Sequence, residues 1–501
     1  MDLGFKFGTY KSLTLLQILV CVLLILSILF AQENFSFWRF SLFTASIYTL
    51  FQLYSVNWLI DFNFKLGICA IFFNSCWFTS TILVSFILRK NLGLFWGYIY
   101  FILLWIANEY SHLYGVLHWP WLNVGNFLAY TPNLIQWYEY TGIAGGSFWL
   151  LSISCSLHYF FYKQSLRIFW GIIMILFTPL VFSKSINVAN IENSRKLKVT
   201  ITNPDLSSIL FDKNNGLDII EKTILQIAKN DSSIFLKNTH LDHFIVFPEG
   251  TINEPISEIA IKKMIQKSEV LKSLDKHVFI LWGGLLLEKI GIEIFYFNSA
   301  WTLNNNLIKI YRKEKLVPFI EKKIYAQTIM NNWVALNLEN GLLTSFFQKQ
   351  NNFNSNNAEF AVGICYESAF GEFIASKNNS AASVIFIISN DVWIKSLSGK
   401  QQHLCFSILR AIENRKFIIN ATKSGFSGFV DPIGNTIVEM KNTNQYFTQI
   451  ISYMNKKTFY SRYGDWLYKI CFMFLLFLLF LKLAIFFLIT VLFKRHSFFE
   501  I

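Results

Sequence analysis

No Cys-x-x-Cys pair and no cluster of histidine with cysteine occurs in this 501-residue chain. That argues against a structural zinc site and against a disulfide framework. Of the seven cysteines, only Cys365 and Cys405 lie outside apolar blocks; Cys21, Cys69, Cys76, Cys155 and Cys471 lie within them. There is no nucleotide or metal motif, so no cofactor is implied. Nothing resembles a nucleic-acid module either. The formal charge of +13 is read instead as the basic bias of membrane proteins, set by cytoplasmic loops and anionic headgroups. Charge is sparse inside the apolar blocks, where a transporter more often carries it.

Apolar residues are what the chain has in quantity. It is 53% hydrophobic and 18% aromatic, with 53 Phe, and its mean hydropathy is +0.40, too apolar for an ordinary soluble protein. The excess is unevenly spread. Residues 1–186 are almost continuously apolar and read as a helical membrane domain. Residues 187–460 mix charges, Asn and short apolar runs, and are numerous enough to bury a core of their own. Residues 461–501 read as one closing membrane helix with a short basic tail.

Crossing a bilayer takes about 20 apolar residues. The candidate spans are Leu13–Ala31, Phe37–Ile60, Leu66–Leu88, Leu92–Ala107, Gly142–Tyr162, Arg167–Ser183 and Trp466–Phe493. The first has a long core and no small-x-small cleavage site, so it is not read as a cleavable signal peptide. Placing Arg89/Lys90, Lys163/Arg167 and Lys494/Arg495 in the cytoplasm puts the globular domain and the Asn108–Thr141 loop on the opposite side. It also puts the N-terminus there, despite Lys6 and Lys11. The loop is rich in Trp and Tyr, including His118-Trp119-Pro120-Trp121. It reads either as an interfacial aromatic belt or as a platform under the outer domain that handles lipid.

The globular part alternates strand-like runs with helical segments, an α/β pattern. Strands are expected at Leu197–Thr202, His243–Phe247, His277–Trp282, Glu293–Asn298, Leu307–Tyr311, Phe360–Cys365, Ser383–Ser389 and Phe417–Ala421. Helices are expected at Gly216–Lys229, Ile256–Leu274 and Gln401–Arg415, and a polar surface loop at Gly341–Asn357. Three of the strands deliver one reactive group each near their C-terminal ends: Glu249, Lys313 and Cys365. A carboxylate can take a thiol proton, and an ammonium can hold a thiolate or an oxyanion. Singly, each has a plainer explanation: a loop carboxylate, a solvated strand-end charge, a small core cysteine. Together, in this order and each at a strand exit, they point to nucleophilic catalysis. The isolated His403 is read as structural.

Phe-Pro-Glu249, Tyr311-x-Lys313 with Leu316-Val317-Pro318-Phe319, and Ile364-Cys365-Tyr366-Glu367 resemble the three catalytic motifs of the nitrilase superfamily. Flanked by membrane helices, they resemble the apolipoprotein N-acyltransferase family over nearly the whole chain. Trp119-Pro120-Trp121-Leu122, Ser389-Asn390-Asp391-Val392-Trp393, Gln402-His403 with Arg410-Ala411-Ile412-Glu413, Thr422-Lys423-Ser424-Gly425 and Arg462-Tyr463-Gly464-Asp465-Trp466 extend the likeness. The resemblance implies a multi-pass α-helical membrane domain carrying an α/β nitrilase-like α-β-β-α sandwich. It implies a catalytic Glu249 (general base), Lys313 (oxyanion stabiliser) and Cys365 (nucleophile), with Glu321, Tyr366, Glu367 and Trp393 in supporting positions. The implied partners are a phospholipid acyl donor and a diacylated apolipoprotein acceptor, joined through a Cys thioester. The implied setting is a monomer in the bacterial inner membrane with its catalytic domain on the extracytoplasmic side.

Three departures accompany the likeness. Gly250 stands where the family more often has Ser or Thr. Phe211 stands where some members carry Trp. The helix count is one short. Two other readings remain: a membrane-tethered nitrilase-type amidase acting on a small amide, and an inactive membrane scaffold or transporter.

Overall fold

The computed structural model describes residues 11–115, 118–186, 195–203, 216–235, 241–318, 320–321, 350–355, 358–377, 382–439, 445–453 and 457–496. The apolar blocks are helical. α1 (Lys11–Asn34), α2 (Phe37–Val56), the short α3 (Trp58–Phe62), α4 (Phe64–Leu92), α5 (Leu94–Tyr114), the single turn α6 (Tyr138–Thr141), α7 (Ile143–Lys163) and α8 (Leu166–Ser185) precede the first sheet strand. Among the described residues, Leu16–Asn34, Phe64–Leu92, Leu166–Ser185 and Trp466–Ile485 are long and apolar enough to cross a membrane. The span expected at Phe37–Ile60 is broken after Val56, and α3 starts at Trp58. Asn63 then opens α4, its Oδ1 accepting from Leu66 N at 3.1 Å, the usual service of a short polar side chain at a helix start.

Several polar side chains of the bundle turn inward and pair. Gln52 Nε2 donates to Ser75 Oγ at 2.6 Å, and Asn74 Nδ2 donates to Gln52 Oε1 at 2.8 Å. Such bonds satisfy groups that lipid cannot. Glu33 near the end of α1 pairs with Arg89 near the end of α4, so these two helix ends share one face of the bundle. Tyr130 in the aromatic loop neighbours Gln17 near the start of α1. The beginning of α1 therefore lies near the aromatic loop.

The globular part holds two sheets. In one, β1 (Arg195–Asn203), β2 (His243–Val246), β4 (Val278–Ile290), β5 (Glu293–Asn304), β6 (Leu307–Arg312) and β13 (Gln445–Tyr453) run in the order β13-β1-β2-β4-β5-β6, and β3 (Ile252–Ile256) pairs with β4. In the other, β7 (Phe353–Asn354), β8 (Glu359–Ile364), β9 (Val384–Asn390), β10 (Phe417–Lys423), β11 (Ser427–Val430) and β12 (Thr436–Glu439) run in the order β12-β11-β10-β9-β8-β7. Alternation of side chains along each strand gives each sheet two apolar faces. Phe244, Val246, Phe279 and Leu281 meet Phe360, Val362, Phe386 and Ile388 between the sheets. The Phe244 ring lies 4.8 Å from that of Phe360 and 5.1 Å from that of Phe386.

The outer face of the first sheet packs on α9 (Gly216–Asn230), α10 (Glu258–Lys267) and α11 (Glu269–Lys272). The outer face of the second, through Ile385, Ile387 and Ile418, joins α12 (Gly371–Lys377) and α13 (Leu397–Asn414) in one core that continues into the membrane helices. The result is the α-β-β-α sandwich expected from the sequence. α14 (Phe459–Tyr463) and the long α15 (Trp466–His496) close the chain, and the limit drawn at residue 460 falls inside α14.

Several expectations change. The helix Ile256–Leu274 is two helices, because Ser268 Oγ accepts from Leu271 N at 3.0 Å and starts a new one. β4 and β5 run well past Trp282 and Asn298, since Gly283 and Gly284 continue the strand. Within the polar loop expected at Gly341–Asn357, Phe353–Asn354 pairs with β8, while residues 341–349 and Phe211 lie outside the described residues. The aromatic loop is no exposed belt: Trp121, Leu122, Phe127, Trp137 and Tyr138 are buried. Trp121 Nε1 donates to Gln402 Oε1 of α13 at 2.7 Å, and Arg415 donates to Gln136 O at 2.7 Å. The loop is the floor on which the sandwich stands.

Candidate active site

Glu249 lies just beyond the end of β2, in a turn that two glycines make possible. Gly250 adopts φ +69°, a left-handed conformation that glycine takes without cost; this accounts for the glycine where a Ser or Thr was expected. A Cβ on Gly283 would sit 2.5 Å from Glu249 Cα, so β4 can pass there only as glycine. The carboxylate is held on both oxygens. Asn298 Nδ2 donates to Oε1 at 2.6 Å, and the Asn390 backbone N donates to Oε2 at 2.9 Å.

Lys313 follows β6, and its backbone N donates to Asn298 O at 2.8 Å. Its Nζ lies 2.9 Å from Glu321 Oε1 and 3.5 Å from Glu249 Oε1. Burial disfavours the ammonium, but the charges of Glu321, Glu249 and Cys365 outweigh it and hold the pKa above the ordinary lysine value. Lys313 is therefore cationic at neutral pH. Asn298 Nδ2 also reaches Glu321 Oε1 at 3.1 Å, and Glu321 Oε2 accepts from Val317 N at 2.8 Å. One network, buried at Glu249 and Lys313 and half-buried at Glu321, thus fixes the three side chains.

β8 ends at Ile364, and Cys365 opens a tight 3-10 turn, Cys365–Ala369, rather than finishing the strand. Its φ is +50°, which costs a residue with a Cβ about 1–2 kcal/mol. The turn is braced by Glu367, which is fully buried. Its Oε2 accepts from Ile364 N at 2.8 Å, and its Oε1 accepts from Tyr311 OH and Glu314 N, each at 2.7 Å. The Cys365 thiol is pushed well above its ordinary pKa, first by burial and then by the charge of Glu249, with Lys313 offsetting part. The resting sulfur is a neutral thiol, so it must lose its proton as it attacks.

Tyr366 and Trp393 face the membrane domain instead. Tyr366 OH donates to His118 O at 2.7 Å. Trp393 packs against Trp58 and Phe62 of α3, with centroids 5.5 Å from each. The donor atoms of Cys365, Asp391 and His403 lie within 4.8 Å of one another. Spacing alone does not make them metal ligands, since both imidazole nitrogens already face hydrogen-bonding groups, and no metal is assigned.

Comparison with known proteins agrees with this layout. Residues 4–156 match the model of the apolipoprotein N-acyltransferase N-terminal domain, and residues 244–450 match that of the carbon-nitrogen hydrolases. The chain resembles the apolipoprotein N-acyltransferases along most of its length. It is 25% identical to an apolipoprotein N-acyltransferase of Chlorobaculum tepidum, over 94% of this chain and 92% of that one. It is 27% identical to apolipoprotein N-acyltransferase 2 of Treponema denticola, over 86% of each. It is 28% identical to the Rickettsia prowazekii enzyme of the same name, over 86% of this chain and 84% of that one. Among solved structures, Saccharomyces cerevisiae Nit3, of the nitrilase superfamily, matches at 17% identity with a TM-score of 0.37, covering 52% of this chain and 90% of its own.

The sequence reading missed Asn298, the residue that bridges the two carboxylates. It sits inside a strand among apolar and aromatic neighbours, and nothing in the local pattern sets it apart. It also read His403 as an isolated histidine, although its partner Asp391 stands in a motif that had been singled out.

Proposed function

We propose that this protein transfers an acyl chain from a membrane phospholipid, through a thioester on Cys365, to the α-amino group of the N-terminal diacylglyceryl-cysteine of apolipoproteins. The observation that carries the reading is the Glu249–Lys313–Glu321 network beside a thiol in a left-handed turn, set where the sandwich stands on its membrane helices. Lipoprotein N-acylation is the activity named for its relatives.

In this reading the Cys365 sulfur attacks the ester carbonyl while Glu249 takes the thiol proton. The new oxyanion lies against the Lys313 ammonium, whose charge Glu321 keeps in place. Collapse expels the lyso-phospholipid oxygen, which receives the proton from Glu249. The acceptor amine then attacks the thioester, gives its proton to Glu249, and leaves as an amide while the thiol re-forms. Both substrates keep their chains in the bilayer, which avoids the cost of exposing them to water. The protein accordingly acts as a monomer in the bacterial inner membrane, with residues 187–460 as its extracytoplasmic catalytic domain.

The test is acyl transfer in detergent micelles from a phospholipid of defined chains to a diacylglyceryl-cysteinyl peptide, with hydrolysis of small amides run in parallel. Transfer without amide hydrolysis supports the proposal. Amide hydrolysis without transfer supports the amidase reading, and neither activity in folded protein supports the inactive scaffold.

A further inference from the structure

A second pair of ionisable groups lies against the nucleophile, on its backbone. His403, on α13, places Nδ1 2.8 Å from Asp391 Oδ1. Its other ring nitrogen, Nε2, lies 3.3 Å from Cys365 O and 3.3 Å from Ser368 Oγ. Both side chains are buried. A Cys–His–Asp relay would put Nε2 on the sulfur. Here Nε2 meets the Cys365 carbonyl, and although the sulfur lies within 4.8 Å of a ring nitrogen, the contact the ring makes is to the backbone.

The protonation state follows from the partners. The Asp391 carboxylate accepts, as does the Cys365 carbonyl, and Ser368 Oγ already donates to that same carbonyl at 2.8 Å. Both ring nitrogens therefore face acceptors, which only the imidazolium satisfies. The other groups facing the ring agree. Burial opposes the charge, but Asp391, the Cys365 carbonyl and Glu249 together raise the pKa above the ordinary histidine value. The Trp121 ring, 6.0 Å away, covers the ring from the aromatic loop. Asp391 is itself fixed by Ser389 Oγ at 2.7 Å, and a Cβ on Gly425 would come within 2.4 Å of its Oδ2.

We propose that His403, held as an imidazolium by Asp391, is a positioning residue that pins the Cys365 carbonyl and so keeps the left-handed turn that aims the thiol at its site. α13 grips the same turn one step on, where Arg410 Nη1 donates to the carbonyls of Ser368 and Ala369 at 3.4 and 3.3 Å. The proposal rests on the acyl-enzyme reading of Cys365.

The experiment measures the rate of Cys365 acylation by a phospholipid of defined chains, using the full chain in detergent. Wild type, His403→Ala and His403→Gln are compared between about pH 6 and pH 10, with a thermal melt of each. The wild-type rate should fall as pH rises through the raised histidine pKa, because the donating imidazolium is lost. Ionisation of the thiol would act in the opposite sense. His403→Ala should be slower by about ten- to hundredfold, the worth of a hydrogen bond from a charged donor. His403→Gln, whose amide donates without titrating, should recover much of the rate and lose the alkaline fall. If His403→Ala does not fold, the pH profile of His403→Gln decides. Wild-type rate and profile in His403→Ala, or the alkaline fall intact in His403→Gln, would overturn the proposal. No adduct on the wild type would overturn it together with the acyl-enzyme reading, whereas acylation insensitive to His403 overturns this role alone.

Discussion

The carboxylate of Glu367 accepts the hydroxyl of Tyr311 at 2.7 Å. That bond joins the strand that delivers Lys313 to the turn that delivers Cys365, across the interface between the two sheets. Glu367 also takes three backbone N–H groups, those of Ile364, Glu314 and Lys315. Truncation to Ala would leave these donors buried without a partner, at about 1–3 kcal/mol each. Glu367→Ala should therefore melt several degrees lower and lose acyl transfer even where it is folded, while Glu367→Gln, which still accepts, should lose less of both. Thermal melting beside an acyl-transfer assay checks this. Equal loss in both variants would refute the bridging role.

Asn298 holds both carboxylates through one amide nitrogen. Asn298→Ala should lower acyl transfer by about a hundredfold, in the range seen when a positioned polar group is removed from an active site. Asn298→Asp should be worse, since it sets a third carboxylate beside Glu249 and Glu321. Steady-state rates of the two variants test the order.

Lys313 is buried between two acidic groups. Lys313→Met should abolish transfer and cost about 3–5 kcal/mol of stability, because breaking a buried pair leaves unbalanced charge. Adding Glu321→Gln should recover part of the stability and none of the activity. Denaturant or thermal unfolding of the single and double variants gives the comparison. If the second change destabilises further, Glu321 is not held mainly by Lys313.

The Cys365 thiol is kept neutral by burial and by the charge of Glu249. Its alkylation by iodoacetamide should be slow at neutral pH and should still be climbing above about pH 8.5, where that of a free cysteine begins to level off. Glu249→Gln removes the negative neighbour, so the thiol pKa falls and alkylation becomes faster while acyl transfer stops. Slower alkylation in Glu249→Gln would mean that Glu249 already draws the proton in the resting site.

Much of this architecture is legible in the residues. The seven apolar blocks, the period-two strands and the three strand exits bearing Glu249, Lys313 and Cys365 all follow from local pattern. What escaped is what depends on contacts distant in sequence. Gly283 and Gly284 looked like the end of a strand, because their reason, the close approach of the Glu249 turn, lies about thirty residues away. Asn298 looked like a strand residue. The aromatic loop could be a belt or a floor until its contacts with Gln402 and Arg415 were seen. His403 looked solitary because Asp391 meets it only once β9 and α13 are packed.

The central claim is a thioester on Cys365, and intact-protein mass spectrometry tests it most directly. Wild type and Cys365→Ser are incubated with a phospholipid of defined acyl chains. The account predicts one added fatty-acyl mass on the wild type, removed by hydroxylamine and absent from the variant. Folded wild-type protein that transfers acyl groups yet never carries the adduct, or an equal hydroxylamine-labile adduct on Cys365→Ser, would contradict it.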